Sequence, residues 1–166
     1  MYDVCVAYLL SQSSDVECVL LGEKRRGLGS GKVVAPGGKL EPGESPRDAV
    51  VREVREETGI DLADVALEQV AVIEYRFPTK TEWNQRSFVF RARGIDAQPS
   101  DTTELAARWC PTDDVPYGRM WSDAQSWVPA VLSGKTGIHR AITFGPDLST
   151  VSVNTVVREE DGGNVE

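Results

Sequence analysis

The sequence predicts an α+β fold in which a mixed β-sheet is sandwiched between helices. Three observations carry that expectation. Residues 3–11 (DVCVAYLLS) and 16–22 (VECVLLG) are apolar, β-rich runs divided by the polar turn 12–15, the pattern of a hairpin feeding a buried sheet. Residues 45–59 have the start and stop signals of an amphipathic helix. A second helical segment, studded with aromatics, lies within 115–135 (VPYGRMWSDAQSWVPAVLSGK).

After the hairpin comes EKRRGLGSGK (23–32), where Lys24, Arg25, Arg26 and Lys32 gather around three glycines in a chain of net charge −8. It reads either as a solvated basic turn or as a loop that supplies cations to a polyphosphate. The glycine spacing is no dinucleotide fingerprint, because no helix follows directly. Residues 32–35 make a short strand, and Pro36, Gly37 and Gly38 a turn. In the helix, Ser45 is the N-cap, Pro46 the first helical residue and Asp48 a first-turn anion, and Gly59 closes the C-terminus. Residues 65–77 and 86–93 are strands joined by the polar loop PTKTEWNQ. Tyr75 and Phe77 alternate with Glu74 and Arg76, so they share one face and suit either core or the floor of a base pocket. Residues 103–111 form a strand carrying Glu104 and Trp109. The segment 115–135 opens with a Pro-Tyr-Gly turn and continues as a helix bearing Trp121, Trp127, Val128, Val131 and Leu132, usually a core pattern. Residues 138–144 and 151–157 close the sheet. The organisation is one domain over 1–157 and an acidic, frayed tail over 158–166 (REEDGGNVE).

Composition removes several function classes. The acidic charge argues against a nucleic-acid polymer as partner, although a nucleotide pocket can still be locally basic. There is no bilayer-length apolar run and no signal-peptide pattern, so the expectation is a cytoplasmic location and no membrane partner. Cys5, Cys18 and Cys110 are odd in number and lack a C-x-x-C, so they read as buried small hydrophobes in a reducing compartment. One histidine, His139, rules out a His-rich metal site and is read as an ordinary strand residue.

The central helix carries the chemistry. Glu53, Glu56 and Glu57 stand at i, i+3 and i+4 on one face, while Val50, Val51, Val54 and Thr58 can pack on the sheet. Arg52 precedes Glu56 by one turn, placed for an i,i+4 pair. Three carboxylates on one face repel one another. Either Arg47, Arg52 and Arg55 neutralise a solvated acidic face, or a hard divalent cation does, since Mg²⁺ prefers carboxylate oxygen. Spacing decides. Gly38, Glu44, Arg52, Glu53, Val54, Glu56, Glu57, Gly59 and Ile60 fill G-x5-E-x7-R-E-U-x-E-E-x-G-U, with U apolar. Seven fixed identities at about one in twenty each make a chance match on the order of 10⁻⁹ per start position.

This pattern resembles the Nudix box of the MutT/Nudix hydrolases, and the resemblance implies the Nudix fold. It further implies a Mg²⁺-dependent hydrolase, with Mn²⁺ as the substitute, acting on a nucleoside diphosphate linked to another group. On that resemblance Glu53, Glu56 and Glu57 are metal ligands, joined by the Gly37 backbone carbonyl. Arg52 orients the carboxylates, Glu44 supports the loop-to-helix junction and Gly38 lies against substrate. Which glutamate is the general base stays open.

The rest of the chain is similar to one Nudix subgroup, which removes oxidised purine nucleoside triphosphates such as 8-oxo-dGTP. The similarity rests on GEKRRGLGSGK before the box and ELAARWCPTDDVPYGRMWSDAQSWVPAVL after it. It implies that Lys24 meets the phosphates, Trp121 stacks on the base and Asp123 accepts from its edge. Tyr75 and Phe77 then line the pocket, and Glu104 assists the metal. Guanine offers N1–H and N2–H₂ side by side, so Asp123 is expected to clasp both. Two positions depart from the subgroup: Ala124 replaces a second aspartate and Val34 an asparagine. Weaker selection of oxidised over normal purine follows. Nudix hydrolysis of another substrate, such as ADP-ribose, and a non-catalytic nucleotide sensor are the alternative functions; the intact glutamates argue against the sensor.

Overall fold

A computed structural model describes residues 1–13 and 15–160, with Ser13, Glu159 and Glu160 known through their backbone alone. The elements run β1 (Tyr2–Ser13), β2 (Val16–Lys24), β3 (Val33–Val34), β4 (Gly37–Lys39), α1 (Pro46–Thr58), β5 (Glu68–Arg76), β6 (Gln85–Ala92), β7 (Leu105–Pro111), α2 (Val128–Ser133), β8 (Thr136–Phe144) and β9 (Val151–Glu160). Short 3-10 turns occupy Thr81–Trp83, Tyr117–Arg119 and Ala124–Ser126.

The sheet is mixed and follows the order β3-β2-β1-β6-β5-β8-β9, with β4 added to β1 and β7 to β2. β1 runs parallel to β6, and β5 runs parallel to β8. On its other edge β1 pairs antiparallel with β4 near its start (Cys5 opposite Gly38) and with β2 near its end (Leu10 opposite Val19). Alternation along β1 builds two cores. Ala7 and Leu9 join Val50 and Val54 of α1, whereas Tyr8 and Leu10 join Val128 and Val131 of α2. The sheet is therefore sandwiched between two helices, as the sequence implied.

The α1 caps are those read from the sequence. The Ser45 hydroxyl accepts from the Asp48 N–H, and Gly59, at φ 76°, donates back to the Arg55 carbonyl. Five other expectations change. Gly37 and Gly38 form a strand and not a turn, because they are laid against Cys5 where a side chain cannot fit: a Cβ on Gly37 would strike the Cys5 carbonyl oxygen. The second helix is only Val128–Ser133. Trp121 and Asp123 precede it in a segment of 3-10 turns, and Pro at its start caps its length. Glu104 sits just before β7 instead of within it. Of the cysteines only Cys5 is buried; Cys18 and Cys110 are half-buried. β9 continues to Glu160, three residues past the tail boundary expected at 157, and 161–166 lie outside the described residues. No helix among the described residues is long and apolar enough to cross a membrane.

Candidate active site

The β4–α1 junction is tied together by one guanidinium. Arg52 Nε and Nη2 donate to the two oxygens of Glu44 at 2.8 and 2.9 Å. Nη1 donates to Glu53 Oε1 at 2.9 Å and to Glu56 Oε2 at 3.3 Å, and Nη2 reaches the Lys39 carbonyl at 3.0 Å. This pair holds the Glu44 carboxyl down at about 2, helped by the Glu41 N–H. Arg47 and Arg55 turn elsewhere, to the Val65 carbonyl and to Asp61, so Arg52 alone of the three expected arginines neutralises the acidic face.

Glu57 is buried, and its Oε2 accepts from the Gly37 N–H at 2.9 Å. Burial pushes its carboxyl up to about 7 against the pull of that N–H and of Lys24. Burial also raises Glu53, with Arg52 opposing. A Cβ on Gly38 would strike the Glu53 carboxyl, which Arg52 holds in place. Gly37 lies between ladder bonds that Leu40 and Ala7 complete with Asp3 and Pro36, so its own N–H and C=O turn away from β1. Glu56 is exposed, and exposed Glu104 adds negative charge acting on both Glu53 and Glu57.

Among the described residues no three His, Cys, Asp or Glu side chains form a ready cation cage. Glu57 is turned to Gly37, and Glu53 and Glu56 to Arg52. The donor set nevertheless fits a hard divalent ion. It is all carboxylate oxygen, and burial makes unneutralised charge on Glu53 and Glu57 costly.

A cavity of about 760 Å³ runs from these groups to the aromatic residues before α2. It brings together Lys24, Gly37, Gly38, Glu53, Glu57, Glu104, Tyr75, Phe77, Trp121 and Asp123. Arg52 and Glu56 are not part of its lining; Arg52 links both to it by pairing with Glu53 and with Glu56. Val34 and Ala124, the two departures, do line it. Phe77 stacks on Phe144 at 4.9 Å between centroids and 3° between planes, and Trp121 meets Phe144 edge-on at 5.6 Å. Lys32 Nζ lies 4.9 Å from the Trp121 ring centroid. Gly29, at φ 83°, approaches so closely that a Cβ would lie 2.9 Å from Trp121 Nε1. The basic loop thus splits by role: Lys24 and Arg26 line the cavity, Lys32 covers Trp121, and Arg25 braces the Thr102 carbonyl at 2.6 Å.

Asp123 is 2% exposed. Its Oδ2 accepts from the Tyr75 hydroxyl at 2.9 Å and from Trp127 Nε1 at 2.7 Å, while Oδ1 is buried with no partner. Burial pushes its carboxyl up, and the two bonds oppose that rise. Both protein donors therefore meet Oδ2, one of the two oxygens that the guanine clasp expected from the sequence would use. Tyr8, Trp83 and Phe144 also line the cavity and were not anticipated. Alternation on β1 and β8 marks Tyr8 and Phe144 as inward-facing, yet no local pattern separates cavity wall from core.

Known proteins align with this architecture. Residues 1–131 match the family model for the NUDIX domain. An oxidized purine nucleoside triphosphate hydrolase of Danio rerio is 35% identical over 117 residues, 70% of this chain and 73% of that protein. The Bacillus subtilis Nudix hydrolase YvcI is 32% identical over 142 residues, 84% of this chain and 86% of its own. Among solved structures, the mutator MutT protein of Bacillus halodurans superposes with a TM-score of 0.76 at 26% identity, covering 95% of this chain and 98% of that one. With its glutamate helix and glycine strand joined through Arg52, the chain belongs to the Nudix hydrolase family.

Proposed function

We propose that the protein is a nucleoside triphosphate diphosphatase. It hydrolyses purine nucleoside triphosphates, oxidised ones such as 8-oxo-dGTP among them, to the monophosphate and pyrophosphate. The observation that carries this reading is the single cavity that joins the carboxylates Glu53 and Glu57 to the aromatic and carboxylate groups Trp121, Phe77 and Asp123. A cavity of that size suits a nucleotide, and its two chemistries match a polyphosphate and a base. The named activity of the Danio rerio relative points the same way.

Nudix hydrolases use divalent metal ions. Here Mg²⁺, with Mn²⁺ as substitute, would be held by Glu53, Glu56, Glu57 and the Gly37 carbonyl, with Glu104 assisting. Such an ion neutralises phosphate oxygens and acidifies a bound water. The chain's own residues do the rest. Arg52 keeps Glu53 and Glu56 in register, Lys24 supplies a cation to the phosphates, and Gly38 allows close approach. Trp121 presents a stacking face, Tyr75 and Phe77 wall the pocket, and Asp123 accepts from the base edge. The partner is a free nucleotide in the cytoplasm, with neither a nucleic-acid polymer nor a membrane involved.

The test is Mg²⁺-dependent pyrophosphate release across normal and 8-oxo purine triphosphates, pyrimidine triphosphates and ADP-ribose. Turnover should be fastest on purine triphosphates. Turnover of ADP-ribose alone would move the assignment to a different Nudix substrate, and tight binding with no turnover would make the protein a sensor.

A further inference from the structure

Asp123 is tied to the protein through one oxygen only, and that asymmetry has a consequence for what the cavity can select. Tyr75 comes from β5 and Trp127 from the start of α2, and both donate to Oδ2. A carboxylate oxygen that accepts two strong donors is saturated. Oδ1 is left buried and unpartnered, in a residue that lines the cavity. A buried acceptor without a donor is costly, so a ligand donor placed there is strongly favoured.

We infer that the Tyr75 hydroxyl is a positioning residue for base selection: with Trp127 it closes Asp123 Oδ2, so the site takes a purine through one N–H donor to Oδ1 and does not clasp two. This deepens the proposed function and rests on its placing of the base at Asp123. The two neighbours that line the cavity beside the expected base edge, Val34 and Ala124, carry no side-chain polar group to add a second contact. A single oxygen accepts well along one N–H direction, and an adjacent second donor meets it off-line. The purine 2-amino group therefore adds little, and the site serves purines that differ there. The ionisable groups acting around Asp123 are the Tyr75 and Tyr8 phenols, both raised by burial and by the Asp123 charge, with Tyr117 acting on Tyr8. Neither phenol ionises near neutral pH, so Tyr75 keeps the hydroxyl proton that it donates to Asp123.

The experiment measures binding of GMP and IMP to the full chain by quenching of tryptophan fluorescence, with no turnover required. The two ligands share N1–H and differ only in the 2-amino group. For the native chain the two dissociation constants should agree within about threefold. Tyr75→Phe removes the hydroxyl alone and frees one acceptor position on Oδ2, so GMP should gain on IMP by about fivefold or more. The inference is overturned by a native preference for GMP of tenfold or more, by a GMP/IMP ratio that Tyr75→Phe leaves unmoved, or by binding of neither. Trp127→Phe, which frees the other position on Oδ2, should move the ratio in the same direction. Binding as expected without any triphosphate hydrolysis would sink the proposed activity and leave the positioning role standing.

Discussion

At the α1 end of the cavity, Gly37, Gly38, Glu44, Arg52, Glu53 and Glu57 come from one strand, one loop and one helix; Arg52 fastens Glu44 and Glu53, and the Gly37 N–H holds Glu57. At the other end, Tyr8, Tyr75, Asp123, Trp127 and Phe144 come from β1, β5, the segment before α2, and β8, and Asp123 fastens two of them. The first end is made by neighbours in sequence and is crowded with charge. The second is made by distant strands around one buried carboxylate. Chemistry common to a family can sit in the local unit, while selectivity is spread over residues that only the fold collects.

The sharpest way to break that division is at the glutamates. Glu56→Gln or Glu57→Gln should lower turnover by at least about a hundredfold, roughly 3 kcal/mol, and by the same factor for every nucleotide. The fold should survive, since each change relieves like-charge repulsion. A sharp fall in apo melting temperature with activity retained would make these residues structural.

Next in size is the base end. Asp123→Ala should cost purine nucleotides about 1–3 kcal/mol in kcat/KM and pyrimidines much less. It also strands the Tyr75 hydroxyl and Trp127 Nε1, so thermal stability should drop as well; Asp123→Asn separates the two effects by keeping an acceptor. Equal losses for all bases would show that Asp123 only braces the segment before α2.

Protonation gives a third contrast. The folded Glu57 carboxyl, at about 7, lies above its ordinary value of 4.5. Between those values the folded state binds more protons than the unfolded one, so this group's stabilisation is full below pH 4.5 and is lost as pH rises through 7. Melting of the metal-free protein should therefore shift upward as pH falls from about 8 to about 5, and Glu57→Gln should flatten that slope. A slope that persists in the variant would assign it to another group. Glu44, held at about 2, works in the opposite sense only at lower pH.

The smallest effect belongs to the basic loop. Lys24→Ala should raise KM for triphosphates a few-fold at low salt, with the penalty shrinking as ions screen the site. Arg25→Ala, which loses its brace to Thr102, should leave KM near the native value. Equal KM for both variants would return the loop to a solvated turn.

This division also explains what could be read in the sequence. The α1 unit was legible down to its caps and to the Arg52–Glu56 pair, because each contact spans less than a few turns. The hairpin and the sheet strands followed from apolar alternation. The second helix was overread: its aromatics have helical spacing, but the backbone breaks into 3-10 turns that let Asp123 meet Tyr75, forty-eight positions earlier in the chain. The glycine pair was misread as a turn because its constraint, close approach to Cys5, comes from β1 and leaves no trace nearby. Asp123 and its ring partners were named from resemblance; which of its oxygens is occupied required the fold.

Glu57 has a consequence for how this protein changes under selection. A buried carboxylate that burial pushes toward neutrality is a position where the neutral amide would be the more comfortable occupant of the empty protein. Directed evolution that rewards heat resistance alone should drift toward glutamine there, and toward inactive enzyme. Only a library sorted for turnover as well would keep the acid, so the stability gained by losing it measures how far the native sequence holds its fold below the optimum for the sake of the reaction.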